Sequence, residues 1–115
     1  MYTAKTFSLP ELTGLSPKQI EVHLALYQGY VKHTNLILEK IEKLREEDAT
    51  ENAYLINELR RRLGFEFDGM RMHEYYFEQL EGGASEITSG SFATLAEKRY
   101  GSWDGFIAHL HEVAG

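Results

Sequence analysis

Cysteine is absent from the 115 residues, so neither disulfide bonds nor thiolate metal sites are available to the chain. Proline occurs only at Pro10 and Pro17, so nothing beyond residue 17 breaks a long helix by lacking its N–H. No apolar run approaches the roughly 18 residues of a membrane-spanning helix. Positive charge is scarce: 12 lysines and arginines face 18 aspartates and glutamates, a formal net charge of −6. That balance argues against nucleic-acid binding through a basic surface and leaves any anionic substrate dependent on local positive charge. The opening MYTAKTFSLPELTG lacks the basic-then-apolar layout of a signal peptide. With no cysteine, that fits a cytoplasmic protein, with neither nucleic acid nor a membrane as partner.

What is present is a helical pattern. Hydrophobic residues make up 43% of the chain, enough to require a folded core. Residues 1–15 read as an irregular arm, punctuated by Pro10 and Gly14. Ser16 suits an N-cap and Pro17 the first helical position. Ile20, Leu24, Tyr27, Val31, Leu38, Ile41 and Leu44 then recur at helical spacing, which predicts a helix over 17–46. A polar turn, EDATEN, precedes a second helix over 51–80, with Leu55, Leu59, Leu63, Phe67, Met70, Phe77 and Leu80 as its apolar set and Gly82 and Gly83 as its stop. Two shorter helices follow, in SFATLAEKRYG and in SWDGFIAHLHEVAG. No strand signal and no repeat is visible. The expected fold class is all-α: a long antiparallel helical hairpin and two shorter helices.

Two histidines stand where a helix normally buries apolar side chains: His23 in IEVHLALYQGY and His73 in FDGMRMHEYYFEQL. Their midpoint, position 48, falls in the turn. In an antiparallel hairpin the two rings therefore share one level, about 37 Å from the turn at 1.5 Å per residue. Tyr27 and Tyr30 accompany His23, while Met70, Tyr76 and Phe77 accompany His73. One histidine on an apolar face more often bonds a backbone carbonyl than a metal. For a register-matched pair, a shared metal weighs evenly with that reading, because neutral imidazole is a good ligand for zinc, copper, iron or manganese. His33, His109 and His111 have no matched partner. Arg60, Arg61 and Arg62 read as a solvated helix face, against a role in attracting an anion.

Four stretches, in order, resemble the iron/manganese superoxide dismutase family. LPELTGLSPKQIEVH resembles its opening arm and first metal-bearing helix. YQGYVKHTN resembles the stretch that supplies a tyrosine near the substrate channel. HEYYFEQL resembles the second-helix motif, with Phe77 where tryptophan is usual. SFATLAEKRYGSWDGFIAHLHEVAG resembles the first helices of the family's second domain. The resemblance implies residues 1–83 as a hairpin domain and 84–115 as the start of the second. It implies an enzyme converting superoxide to oxygen and hydrogen peroxide, iron or manganese as cofactor, and His23 and His73 as metal ligands. It also implies Tyr30 as the phenol near the channel and Tyr27 where the family often carries a channel histidine.

There are departures from the family pattern. His23 and Tyr30 are seven residues apart rather than the usual eight, a difference that a bulge near Gly29 would absorb. Gly69 stands where some iron enzymes carry glutamine. The family's other two ligands, an aspartate and a histidine, lie in a motif that these residues do not contain. Three readings follow: a dismutase fragment or half needing a complementing C-terminal half; a homo-oligomer pooling histidines, with Glu66 or Glu74; and a non-catalytic metal-binding or helical interaction protein that self-associates. The first also predicts exposed apolar surface on residues 91–112.

Overall fold

The computed structural model describes residues 1–87 and 89–115. Its described residues form four α-helices and no strand: α1 (Pro17–Asp48), α2 (Ala53–Leu80), α3 (Ser91–Tyr100) and α4 (Trp103–Ala114). No helix among them is long and apolar enough to cross a membrane. The chain divides into two compact units, Met1–Ala84 and Ser85–Gly115.

In the first unit α1 and α2 pack against each other along the hairpin. Ser16 opens α1, its side chain accepting the Gln19 N–H at 3.2 Å, and Pro17 takes the first turn. Inward positions recur every seven residues on both helices: the buried Tyr27, Thr34 and Ile41 on α1, and on α2 Ile56, the partly buried Leu63, Met70 and Phe77. Such a repeat keeps one stripe of each helix against its partner. Tyr27, Val31, Met70 and Phe77 form one core cluster, and Ile37, Ile41 and Ile56 a second. Leu55, expected in the seam, is 48% exposed; Ile56 takes that place, one residue and about 100° further round the helix.

The helix ends differ slightly from expectation. α1 continues through Asp48, whose carboxylate accepts the backbone N–H groups of Thr50 and Glu51, both at 2.9 Å. The turn is therefore shorter than EDATEN. α1 also runs as uninterrupted α-helix through Gly29, so no bulge absorbs the seven-residue spacing from His23 to Tyr30. Tyr30 instead finds room because Gly69 faces it: a Cβ there would lie 2.5 Å from its ring carbons.

The arm before α1 is irregular but tied down. The Asn35 side chain exchanges two 2.8 Å hydrogen bonds with the Tyr2 backbone, and the Ser8 N–H donates to Glu81 at 2.7 Å. Phe7 and Leu9 pack on the first core cluster.

The second unit is a smaller helix pair. α3 ends at Gly101, whose positive φ of 82° and N–H bond to the Glu97 carbonyl close the helix. Ser102 starts α4 by accepting the Gly105 N–H at 3.0 Å. Phe92 of α3 meets Trp103 and Phe106 of α4 edge to face, and Tyr100 packs tilted against Phe106. Ala93 and Ala96 are buried, whereas Phe92, Leu95, Leu110 and Val113 remain more than half exposed or nearly so.

Candidate metal centre

The predicted meeting of the two histidines occurs. The His23 and His73 ring centroids are 4.8 Å apart, with the planes at 76°. α1 supplies one and α2 the other, at matched distances from the turn, as antiparallel register requires. Around them stand Phe77, 5.0 Å from His23, Tyr76, 5.1 Å from His23, and Tyr30, 5.1 Å from His73. Tyr27 lies 6.5 Å from His73 with its ring tilted only 21° from that imidazole.

The protonation pattern follows from the contacts. His73 Nδ1 sits 2.6 Å from the Gly69 carbonyl oxygen. An oxygen of that kind can only accept, so Nδ1 carries the hydrogen, and in the neutral ring that leaves the lone pair on Nε2. Nε2 is buried and has no hydrogen-bond partner among the described residues. Burial holds the His23 imidazole below its ordinary pKa, and the neighbouring His73 adds to that depression. His23 is therefore neutral at neutral pH, the form that binds a metal. An imidazole fixed by a carbonyl on one nitrogen and free on the other is how proteins usually prepare a histidine ligand. The donor set thus fits a borderline metal ion, though only in part. Among the described residues no group of three or more histidines, aspartates and glutamates comes together.

The nearby carboxylates are committed elsewhere. Glu74 is 3% exposed, accepts from Tyr27 at 3.1 Å and pairs with Arg71 and Lys5. Glu66, equally buried, accepts from Arg62 Nε at 2.9 Å and lies 3.7 Å from His33 Nδ1. Sequence reasoning left His33 unpartnered and read the arginine run as a solvated face. Arg60 and Arg61 match that reading, but Arg62 has a buried partner and also covers the Phe65 ring at 4.6 Å. The signal was available: Arg62 and Glu66 stand i,i+4 on one helix. Lys5 had none, because its partners lie about seventy residues away.

The class that fold and site define is an all-α helical hairpin carrying one imidazole from each long helix side by side among aromatic rings. Known proteins of similar sequence narrow it. The chain is 34% identical to the iron superoxide dismutase of Saccharolobus solfataricus over 103 residues, covering 87% of this chain and 49% of that protein. It is 30% identical to the iron superoxide dismutase of Pyrobaculum aerophilum over 125 aligned residues, covering 99% of the chain and 58% of the relative. It is 30% identical to the manganese superoxide dismutase of Mycobacterium celatum, over 80% of the chain and 64% of the relative. No protein-family profile matches the chain, and no solved structure matches it. The chain belongs to the iron/manganese superoxide dismutase family and corresponds to the N-terminal half of those relatives. It spans about half the length of the curated relatives it matches.

Proposed function

We propose that His23 and His73 give two imidazoles to one iron or manganese ion, and that the completed site disproportionates superoxide. The orphaned, buried Nε2 of His73, 4.8 Å ring-to-ring from a neutral His23, carries this reading. Bound there, a metal would supply the one-electron cycle by which one superoxide is oxidised to oxygen and a second, with two protons from solvent, is reduced to hydrogen peroxide. The chain's residues hold and shield. The Gly69 carbonyl fixes the His73 tautomer. Tyr30 walls the His73 side, beside a cleft lined by Gly29, His33, Arg62 and Glu66, in which the Glu66 carboxylate already engages both basic side chains. Tyr27 contributes through its ring, because Glu74 and the Lys5 backbone already engage its hydroxyl. The remaining ligands come from a complementing C-terminal half or from a second copy of the chain.

The test is native mass spectrometry of the protein loaded with manganese(II) or iron(II). Wild type is expected to retain metal, and His73→Ala and His23→Ala to lose it. A wild type that takes up neither metal, alone or mixed with a complementing C-terminal half, overturns the reading.

A second reading, a non-catalytic metal-binding or helical interaction protein that self-associates, draws on a different observation. Val22, Leu26, Phe65 and Tyr76 are exposed by 58%, 52%, 58% and 40%, so apolar surface lies close to the histidine pair. It predicts that His23→Ala with His73→Ala leaves stability and self-association unchanged.

A further inference from the structure

The buried carboxylate of Glu74 is engaged by Tyr27, Arg71 and Lys5, and it directly follows His73 in the chain. Its side chain is 5% exposed. A carboxylate so buried persists only where donors replace its water. Three meet it. The Tyr27 hydroxyl donates to Oε1 at 3.1 Å, the Arg71 guanidinium pairs with Oε2, and the Lys5 ammonium stands 3.5 Å from Oε2. The Tyr27 oxygen in turn accepts the backbone N–H of Lys5 at 2.9 Å. The N-terminal arm, α1 and α2 therefore converge on one carboxylate.

That convergence lies at the level of the histidines. Tyr27 is one turn beyond His23 on α1, and its ring lies nearly parallel to His73. Phe7, from the arm, touches both Tyr27 and Phe77, with centroids at 5.6 and 5.2 Å. Phe77 is the ring against His23. The arm thus reaches each histidine through a single intervening ring. The two imidazoles meet edge to face, and no hydrogen bond between them fixes their spacing. They also sit toward the open end of the hairpin, far from the covalent turn. Metal ligands must be placed to within a few tenths of an ångström, so something other than the turn has to hold the helices in register there.

The geometry points to Glu74 as a positioning residue: with Tyr27 and Lys5 it bolts the arm across both helices and sets the spacing and tilt of His23 and His73. Its consequence for metal rests on the function proposed above. Its mechanical content does not, and can be read on the metal-free chain.

The experiment compares wild type with Tyr27→Phe, Glu74→Gln and Lys5→Met, and with Ile41→Val, which sits in the other core cluster, as a control of packing loss. In the metal-free protein, NMR follows hydrogen exchange at the Lys5 amide and the cross-relaxation between the His23 and His73 rings. Glu74→Gln is expected to speed Lys5 exchange by about tenfold or more, although Glu74 does not touch that N–H, and to weaken the ring-to-ring signal. Cobalt(II) titration is expected to show affinity falling about tenfold in Tyr27→Phe and Glu74→Gln, with an altered visible spectrum. Ile41→Val should leave all three readouts as in wild type. Should Glu74→Gln fail to fold, Tyr27→Phe carries the test through the ring-to-ring signal alone, because it removes the acceptor of the Lys5 N–H itself. Unchanged Lys5 exchange and ring-to-ring signal in the folded variants would overturn the inference. A wild type that binds no cobalt would instead count against the metal reading, and the metal-free measurements would still decide this one.

Discussion

Tyr27 shows how a residue's burial becomes a measurable property. Burial raises its phenol pKa above the ordinary value, and the Glu74 carboxylate adds to the rise, while the Lys5 backbone N–H opposes it. The folded state therefore binds this proton more tightly than the unfolded state. The stability it contributes is fully present below about pH 10, the unfolded value, and drains as pH rises through the higher folded value. Urea unfolding across pH 8–12 should show a shallower alkaline decline in Tyr27→Phe than in wild type. Gly69 gives a second residue-scale prediction. Alanine there gains helix propensity but drives its methyl to 2.5 Å from the Tyr30 ring. Gly69→Ala should lose about 1–3 kcal/mol, the usual cost of overpacking, and Tyr30→Ala in the same chain should relieve the clash. Equal stability of Gly69→Ala and wild type in urea would show that the ring moves freely.

At the scale of elements, the caps were legible because capping is local chemistry. Ser16 with Pro17 opens α1, and Gly101 with Ser102 separates α3 from α4, as their residue types dictate. Ser16→Ala should cost about 1 kcal/mol in thermal unfolding of the hairpin. Gly101→Ala forces a left-handed conformation on a residue with a Cβ, and should destabilise the α3–α4 pair by about 1–2 kcal/mol. Calorimetry of each variant checks both values. Leu55 against Ile56 was not legible, because adjacent leucine and isoleucine satisfy the same periodicity and only packing against α1 chooses between them. The uninterrupted path of α1 through Gly29 was hidden for a related reason. Glycine permits a bulge without requiring one, and Gly69 on the other helix had already made room for Tyr30.

For the whole molecule, the fold class, the four helices and the meeting of His23 with His73 were determined by sequence. Each follows from helical spacing, strong caps and one short turn, and antiparallel register then needs only counting. The gathering of Tyr27 and Lys5 on Glu74, and of His33 on Glu66, was decided by tertiary structure. The Arg62–Glu66 and Arg71–Glu74 pairs are local, at i,i+4 and i,i+3, but the burial of each carboxylate and the donors that reach it from α1 and the arm come only with the fold. The same holds for the burial of His73 Nε2. Helix α2 by itself brings Nδ1 to the Gly69 carbonyl one turn earlier, and only packing of the two helices buries Nε2 without a hydrogen-bond partner.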